Sequence, residues 1–150
     1  MIVKVIGAFV AIISFSILLE IPRKYLACAG VVGAVGGFVY LFVGDCGGNE
    51  VLATFLSAFT IALISHIFAR VFKTPVTVFL IPGIVPTVPG GGMYHIGYYM
   101  FQNNMEMTGH YIASTLQLAG AIAIALFIVD AGFRVFQRGW AQNSLRYQKK

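Results

Sequence analysis

The stretch at residues 74–94, TPVTVFLIPGIVPTVPGGGMY, limits the fold more than any other part of the chain. It is apolar enough for a bilayer, yet it holds Pro75, Pro82, Pro86 and Pro89, then Gly90, Gly91 and Gly92. An interior proline has no N–H and drives its ring at the carbonyl four residues back. A continuous helix here would therefore strip partners from the carbonyls of Val78, Pro82 and Val85. In hydrocarbon an unsatisfied backbone group is costly, so broken backbone is tolerated only where protein buries it or it lines a wet cavity. Interrupted membrane helices of this kind point to the substrate site of a transporter. A proline-kinked helix that merely packs is the alternative the same residues allow.

The rest of the chain fits a membrane setting. Hydrophobic residues make up 59% and charged residues 10% of the 150, against roughly half and a quarter in soluble domains. Several apolar runs approach the length of about 20 residues that a transmembrane helix needs. The expected architecture is an all-α integral membrane protein, one membrane domain over residues 1–150. Its five spans fall at about residues 5–21, 25–43, 51–72, 75–101 and 111–133, followed by a basic tail at 134–150. The fourth span is the broken one, with unwound backbone near residues 82–92. A polar loop is expected at residues 102–109.

Positively charged residues set the orientation. Of the ten Lys and Arg, Lys4 stands alone on one side of this arrangement. The other nine, Arg23, Lys24, Arg70, Lys73, Arg134, Arg138, Arg146, Lys149 and Lys150, all fall on the opposite side. Loops rich in Lys and Arg stay in the cytoplasm, so the N-terminus is expected outside and the C-terminus inside. The same distribution shows no basic stripe interleaved with aromatics, and nucleic acid is not an expected partner.

Few residues carry chemistry. Gly90, Gly91 and Gly92 are no phosphate loop, because no lysine with serine or threonine follows and no strand precedes them. His66, His95 and His110 lack metal-ligand spacing, and no paired carboxylates, nucleophile motif or cofactor fingerprint appears. No enzyme activity, metal or cofactor is expected. Cys28 and Cys46 lie about 27 Å apart along a helix, beyond disulfide reach.

What remains is the break. If helix restarts near Met93, the N–H groups of Gly91, Gly92 and Met93 point into it, and the partial positive charge of a helix N-terminus suits a carboxylate. The expected substrate pathway comprises Pro82, Gly83, Pro86, Pro89, Gly90, Gly91, Gly92 and Tyr94. Tyr94, with Tyr98 and Tyr99, also suits an interfacial aromatic belt. Valine at Gly91 or Gly92 is expected to abolish transport while leaving protein levels normal.

For proton or ion coupling the candidates are His66, Asp130 and Glu20, since ionisable groups inside membrane segments are functional by default. Each also has a local reading. His66 lies near a helix end, Asp130 precedes Arg134 by four residues, and Glu20 sits a turn from Arg23 and Lys24. Ser57, Thr60 and Ser65 are expected to bond back to their own helix. Gly33 and Gly37, in GxxxG spacing, predict a close helix contact without naming the partner.

The phrase IVPTVPGGGMY, together with Pro75, resembles the signature of the threonine/serine exporter family. Upstream, ISFSILLEIPRKYLACAGVVGAVGG resembles that family's first helix, Pro-basic turn and glycine-rich second helix. The resemblance covers roughly residues 8–130 and is to the short, stand-alone small-subunit type. It implies a secondary exporter in the bacterial cytoplasmic membrane, acting on threonine and serine, or on dicarboxylates such as succinate in two-component relatives. It also implies a larger membrane subunit as partner, because single-chain members join this unit to a larger half. Five spans without an internal inverted repeat are few for alternating access by one protomer. Other partners expected are membrane lipid, the small-molecule substrate and further copies in a homo-oligomer. A non-transporting scaffold and a channel subunit are the remaining readings.

Overall fold

The computed structural model describes the backbone of residues 2–147 and the side chains of residues 5–136. Six helices follow one another: α1 (Ile2–Leu18), α2 (Arg23–Asp45), α3 (Glu50–Phe72), α4 (Thr77–Ile84), α5 (Gly90–Phe101) and α6 (Met105–Tyr147). A 3-10 turn, Val85–Thr87, continues α4 before the chain leaves helical geometry at Val88 and Pro89. No strand occurs among the described residues.

Three helices are long and apolar enough to cross a membrane: Arg23–Asp45, Glu50–Phe72 and the Met105–Phe136 part of α6. The apolar segments Val5–Leu18 and Thr77–Thr87 are shorter. The expected spans therefore correspond to helical elements, but five crossings are not established by length alone.

Glycine decides how α2 packs. A side-chain carbon on Gly33 would collide with Ile12 of α1, and one on Gly30 would lie 2.7 Å from Phe9 Cε2. On another face, a carbon on Gly36 would collide with Ile61 of α3. The GxxxG face thus has α1 as its partner, while Gly36 admits α3. Because Gly36 carries no side chain, its carbonyl is reachable, and the buried Ser57 hydroxyl donates to it at 2.8 Å. Ser57 therefore bonds across helices, contrary to expectation, whereas Thr60 does bond back to Leu56. Ser65 makes neither bond: its buried hydroxyl has no partner.

Helix α4 packs on α2 and α3 and touches α1, whereas α5 packs on α6, which in turn lies along α3. Tyr25, Phe68, Phe72 and Phe79 meet at ring-centroid distances of 5.7–6.1 Å, mostly edge to face, over the buried Ala29, Val32, Ile61 and Ala69. These contacts bring the start of α2, the end of α3 and the start of α4 to one end of the bundle. Arg70, stacked 4.7 Å over Phe133, adds the α6 segment around Arg134 to it. Arg23, Lys24, Arg70, Lys73 and Arg134 accordingly share one end.

The turns are tight. After α1, α2, α3 and α5 the closing residues, Glu20, Gly47, Lys73 and Asn103, have positive φ. Each is followed by a 6→1 bond, such as Ile21 N–H to the Ser16 carbonyl at 3.0 Å and Thr74 N–H to the Ala69 carbonyl at 3.0 Å. These are Schellman closures. The expected polar loop at 102–109 shrinks to three residues, because Asn104 Oδ1 accepts from Met107 N–H at 3.2 Å and starts α6 at Met105.

Candidate functional site

The proline-rich segment is less unwound than its sequence suggests. Pro82 sits inside α4 and is buried, and helix persists to Ile84. The carbonyl of Val85, expected to lose its partner, accepts from Val88 N–H at 3.2 Å, while Thr87 Oγ1 donates to the Ile84 carbonyl at 2.7 Å. Pro89, at φ −75° and ψ 59°, then forms an inverse γ-turn, with Gly90 N–H on the Val88 carbonyl at 2.7 Å. Helix resumes at Gly90 rather than near Met93. The break is therefore Val88 and Pro89, and the three glycines are the first turn of α5.

That turn has the expected orphan donors, with one correction. Met93 N–H is taken by the Pro89 carbonyl at 3.1 Å, leaving Gly91 and Gly92. A helix of this length leaves its first N–H groups without intrahelical acceptors, and no side chain caps α5.

These donors border a cavity of about 430 Å³ lined by the break and by α1, α2, α3 and α6. Gly83, Pro86, Pro89, Gly90, Gly91 and Gly92 all line it. Pro82 lies behind it in the core, and Tyr94 stands off it, 67% exposed and stacked on Tyr98. The structure thus brings six of the eight expected pathway residues together.

Opposite the glycines is a polar residue of α6 outside the expected pathway. Thr115 of α6 is 7% exposed, lines the cavity, and its Oγ1 is buried without a hydrogen-bond partner. A side-chain carbon on Gly92 would collide with that same oxygen, whereas Gly90 and Gly91 face open space. Valine at Gly91 therefore has room, but valine at Gly92 would disrupt packing as well as any site. Among the described residues, Glu50 is the only charged one in the lining, which also includes Tyr40, Thr54, Tyr111 and Ser114. Glu50 joins the cavity because it opens α3.

Two coupling candidates meet at the basic end. His66 Nε2 lies 3.8 Å from Asp130 Oδ1, and Arg134 Nε donates to Asp130 Oδ2 at 2.7 Å. The imidazole stacks flat on Phe133, 4.6 Å between centroids, and the Arg70 guanidinium lies 4.7 Å from the centre of the same ring. His66 and Asp130 both line a second cavity of about 350 Å³ with Ala62, Val76, Thr77 and Leu80. Glu20 is elsewhere. It closes α1 at φ 56°, and among the described residues it forms no ion pair with Arg23 or Lys24. Among the described residues no group of three or more His, Cys, Asp or Glu could hold a metal ion.

No solved structure matches the chain. A family model described as Threonine/Serine exporter, ThrE, matches residues 4–131.

Proposed function

The chain belongs to the threonine/serine exporter family, and from that premise we propose that its cavity is the carboxylate-binding part of a secondary-active exporter's substrate pathway. Membership makes it a membrane transport protein of exporter type. The observation that carries the finer reading is the Thr115 hydroxyl, buried and unpartnered beside an uncapped helix N-terminus. A buried polar group without a partner costs about 1–3 kcal/mol, and this one lies in the wall of the cavity, packed against Gly92. A carboxylate in that space accepts from Thr115 Oγ1 and from the Gly91 and Gly92 N–H groups, with the α5 dipole favouring its charge. The cavity volume falls within the range of small-molecule sites, about 300–1,000 Å³.

Glu50 favours an amino acid over a dicarboxylate. Among the described residues it is the one charge in the lining, and it is matched by an ammonium group and opposed by a second carboxylate. Threonine and serine are therefore the first substrates to test, with succinate as the alternative. In this reading α4 and α5 act in series as one broken crossing, giving five crossings of the bacterial cytoplasmic membrane with the basic end inside. A larger membrane subunit completes the pathway.

The test is export of labelled threonine and of labelled succinate from exporter-deficient cells making this chain alone or with the larger subunit. Threonine efflux that requires both chains, and is lost in Thr115→Val, supports the proposal. Succinate efflux instead overturns the substrate, and efflux from this chain alone overturns the need for a partner. Absence of flux in every arm, with both proteins in the membrane, leaves a scaffold.

A further inference from the structure

We propose that His66, paired with Asp130, is a proton-binding site that couples an ion gradient to the substrate cavity. This rests on the exporter reading above but on different residues, at the other end of the bundle.

The geometry is that of an imidazole held without being consumed. The ring of His66 is fixed by its stack on Phe133 at 4.6 Å, so its orientation does not depend on a hydrogen bond. Among the described residues neither ring nitrogen makes one, and Nε2 is aimed at Asp130 Oδ1 at 3.8 Å, just beyond bonding distance. The second carboxylate oxygen is occupied by Arg134, which leaves Oδ1 for the imidazole. The side chain of His66 is 12% exposed and that of Asp130 45% exposed, and both open on the second cavity. A nearly buried imidazole is thus reached through a partly exposed carboxylate.

The charges around the imidazole are balanced rather than locked. Asp130 of α6 favours the protonated ring, while Arg70 of α3 and Arg134 of α6 oppose it. The facing residues of α4, Val76, Thr77 and Leu80, carry no charge. Here one added proton switches on attraction to Asp130 and repulsion from Arg70 and Arg134, which is what a coupling group requires. Sodium has poor prospects at this place, because imidazole is no ligand for it and Asp130 offers one free oxygen.

The link to the substrate cavity is direct. Ala62 lines the proton cavity and the adjacent Ile61 lines the substrate cavity; on α4, Leu80 and Gly83 do the same one turn apart. The two cavities thus lie end to end along α3 and α4, and among the described residues α4 packs on α2 and α3 rather than on α6. A proton on His66 attracts Asp130 and draws α6 onto α3 at this end. Its release lets them part, opening the lower cavity while the upper one is held.

Inverted membrane vesicles carrying the full chain with the larger subunit provide the test. His66→Gln is expected to reduce proton-gradient-driven accumulation of labelled threonine by about tenfold or more, while threonine–threonine exchange without a gradient persists. Asp130→Asn is expected to shift the pH profile of the driven step. Unchanged driven accumulation in His66→Gln overturns the proposal. So does equal loss of driven transport and exchange, because His66 would then serve the pathway or the fold. A second measurement does not depend on the substrate: in purified full-length protein with nitrogen-15-labelled histidine, the His66 signal should titrate, and Asp130→Asn should move its midpoint. A His66 signal that does not titrate, or is indifferent to Asp130, overturns the site even if threonine is carried. If wild-type vesicles carry no threonine, the exporter reading fails and this titration alone decides the proton site.

Discussion

At Thr115 stability and function are expected to diverge. The Thr115 hydroxyl is desolvated without a hydrogen-bond partner. Thr115→Val keeps the branched shape and removes that unmet group, so thermal stability in detergent should hold or rise by about 1 kcal/mol. Threonine export should nevertheless collapse. A residue that only packed would give the opposite pair of results, or none. Gly92 supplies a companion prediction. Gly92→Ala pushes a carbon into Thr115 Oγ1, an overpacking worth about 1–3 kcal/mol, and lowers the melting temperature. Thr115→Ala added to it removes the obstructing oxygen and recovers most of that loss without recovering export. Additive losses in this double-mutant cycle would contradict the contact. Gly91→Ala, facing open space, should fold normally and report on the site alone.

The elements were legible from the sequence to differing degrees. Apolar runs and punctuating prolines locate α2, α3 and most of α6, and the proline-glycine phrase locates the cavity wall. Residue pairs that depend on tertiary packing were not legible. Ser57 finds a carbonyl on α2 because Gly36 leaves it bare, and no periodicity within α3 reports that. His66 and Asp130 each read as a helix-end residue with a local arginine, and only the packing of α6 on α3 makes them neighbours. The Schellman closures at Glu20 and Lys73 were hidden for another reason: neither residue is the glycine that usually marks such a stop. Both hold a left-handed conformation that costs an L-residue about 1–2 kcal/mol, part of which glycine gives back in chain entropy. Lys73→Gly should therefore stabilise the protein modestly, by about 0.5–1 kcal/mol, read as a higher melting temperature. Glu20→Gly should do the same and leave threonine export intact, because Glu20 forms no ion pair and lines neither cavity. Loss of export in Glu20→Gly would restore it as a coupling carboxylate.

For the whole molecule, the decisive issue is how many times the chain crosses and in which sense. The bundle gathers Arg23, Lys24, Arg70, Lys73 and Arg134 at one end, the end that the proposed orientation puts in the cytoplasm. Cys46, exposed just beyond α2, lies at the opposite end, and Cys28 is only partly exposed within α2. A membrane-impermeant maleimide should therefore label the wild-type chain from outside in spheroplasts, and Cys46→Ser should abolish that labelling. With Cys46 removed, a cysteine introduced at Lys73 should react only after permeabilisation. A cysteine at Gln102, between α5 and α6, discriminates further. If α4 and α5 together cross, Gln102 lies on the Cys46 side and reacts from outside. If they dip in and return, it lies with Lys73 and stays protected. Protection would also reverse the sense of α6, placing Asp130 at the outer face while His66 remained inside. Those two residues face each other at 3.8 Å, so the proposed topology has α4–α5 crossing rather than re-entrant. Outside labelling at both Cys46 and Gln102 is the outcome that the His66–Asp130 contact requires.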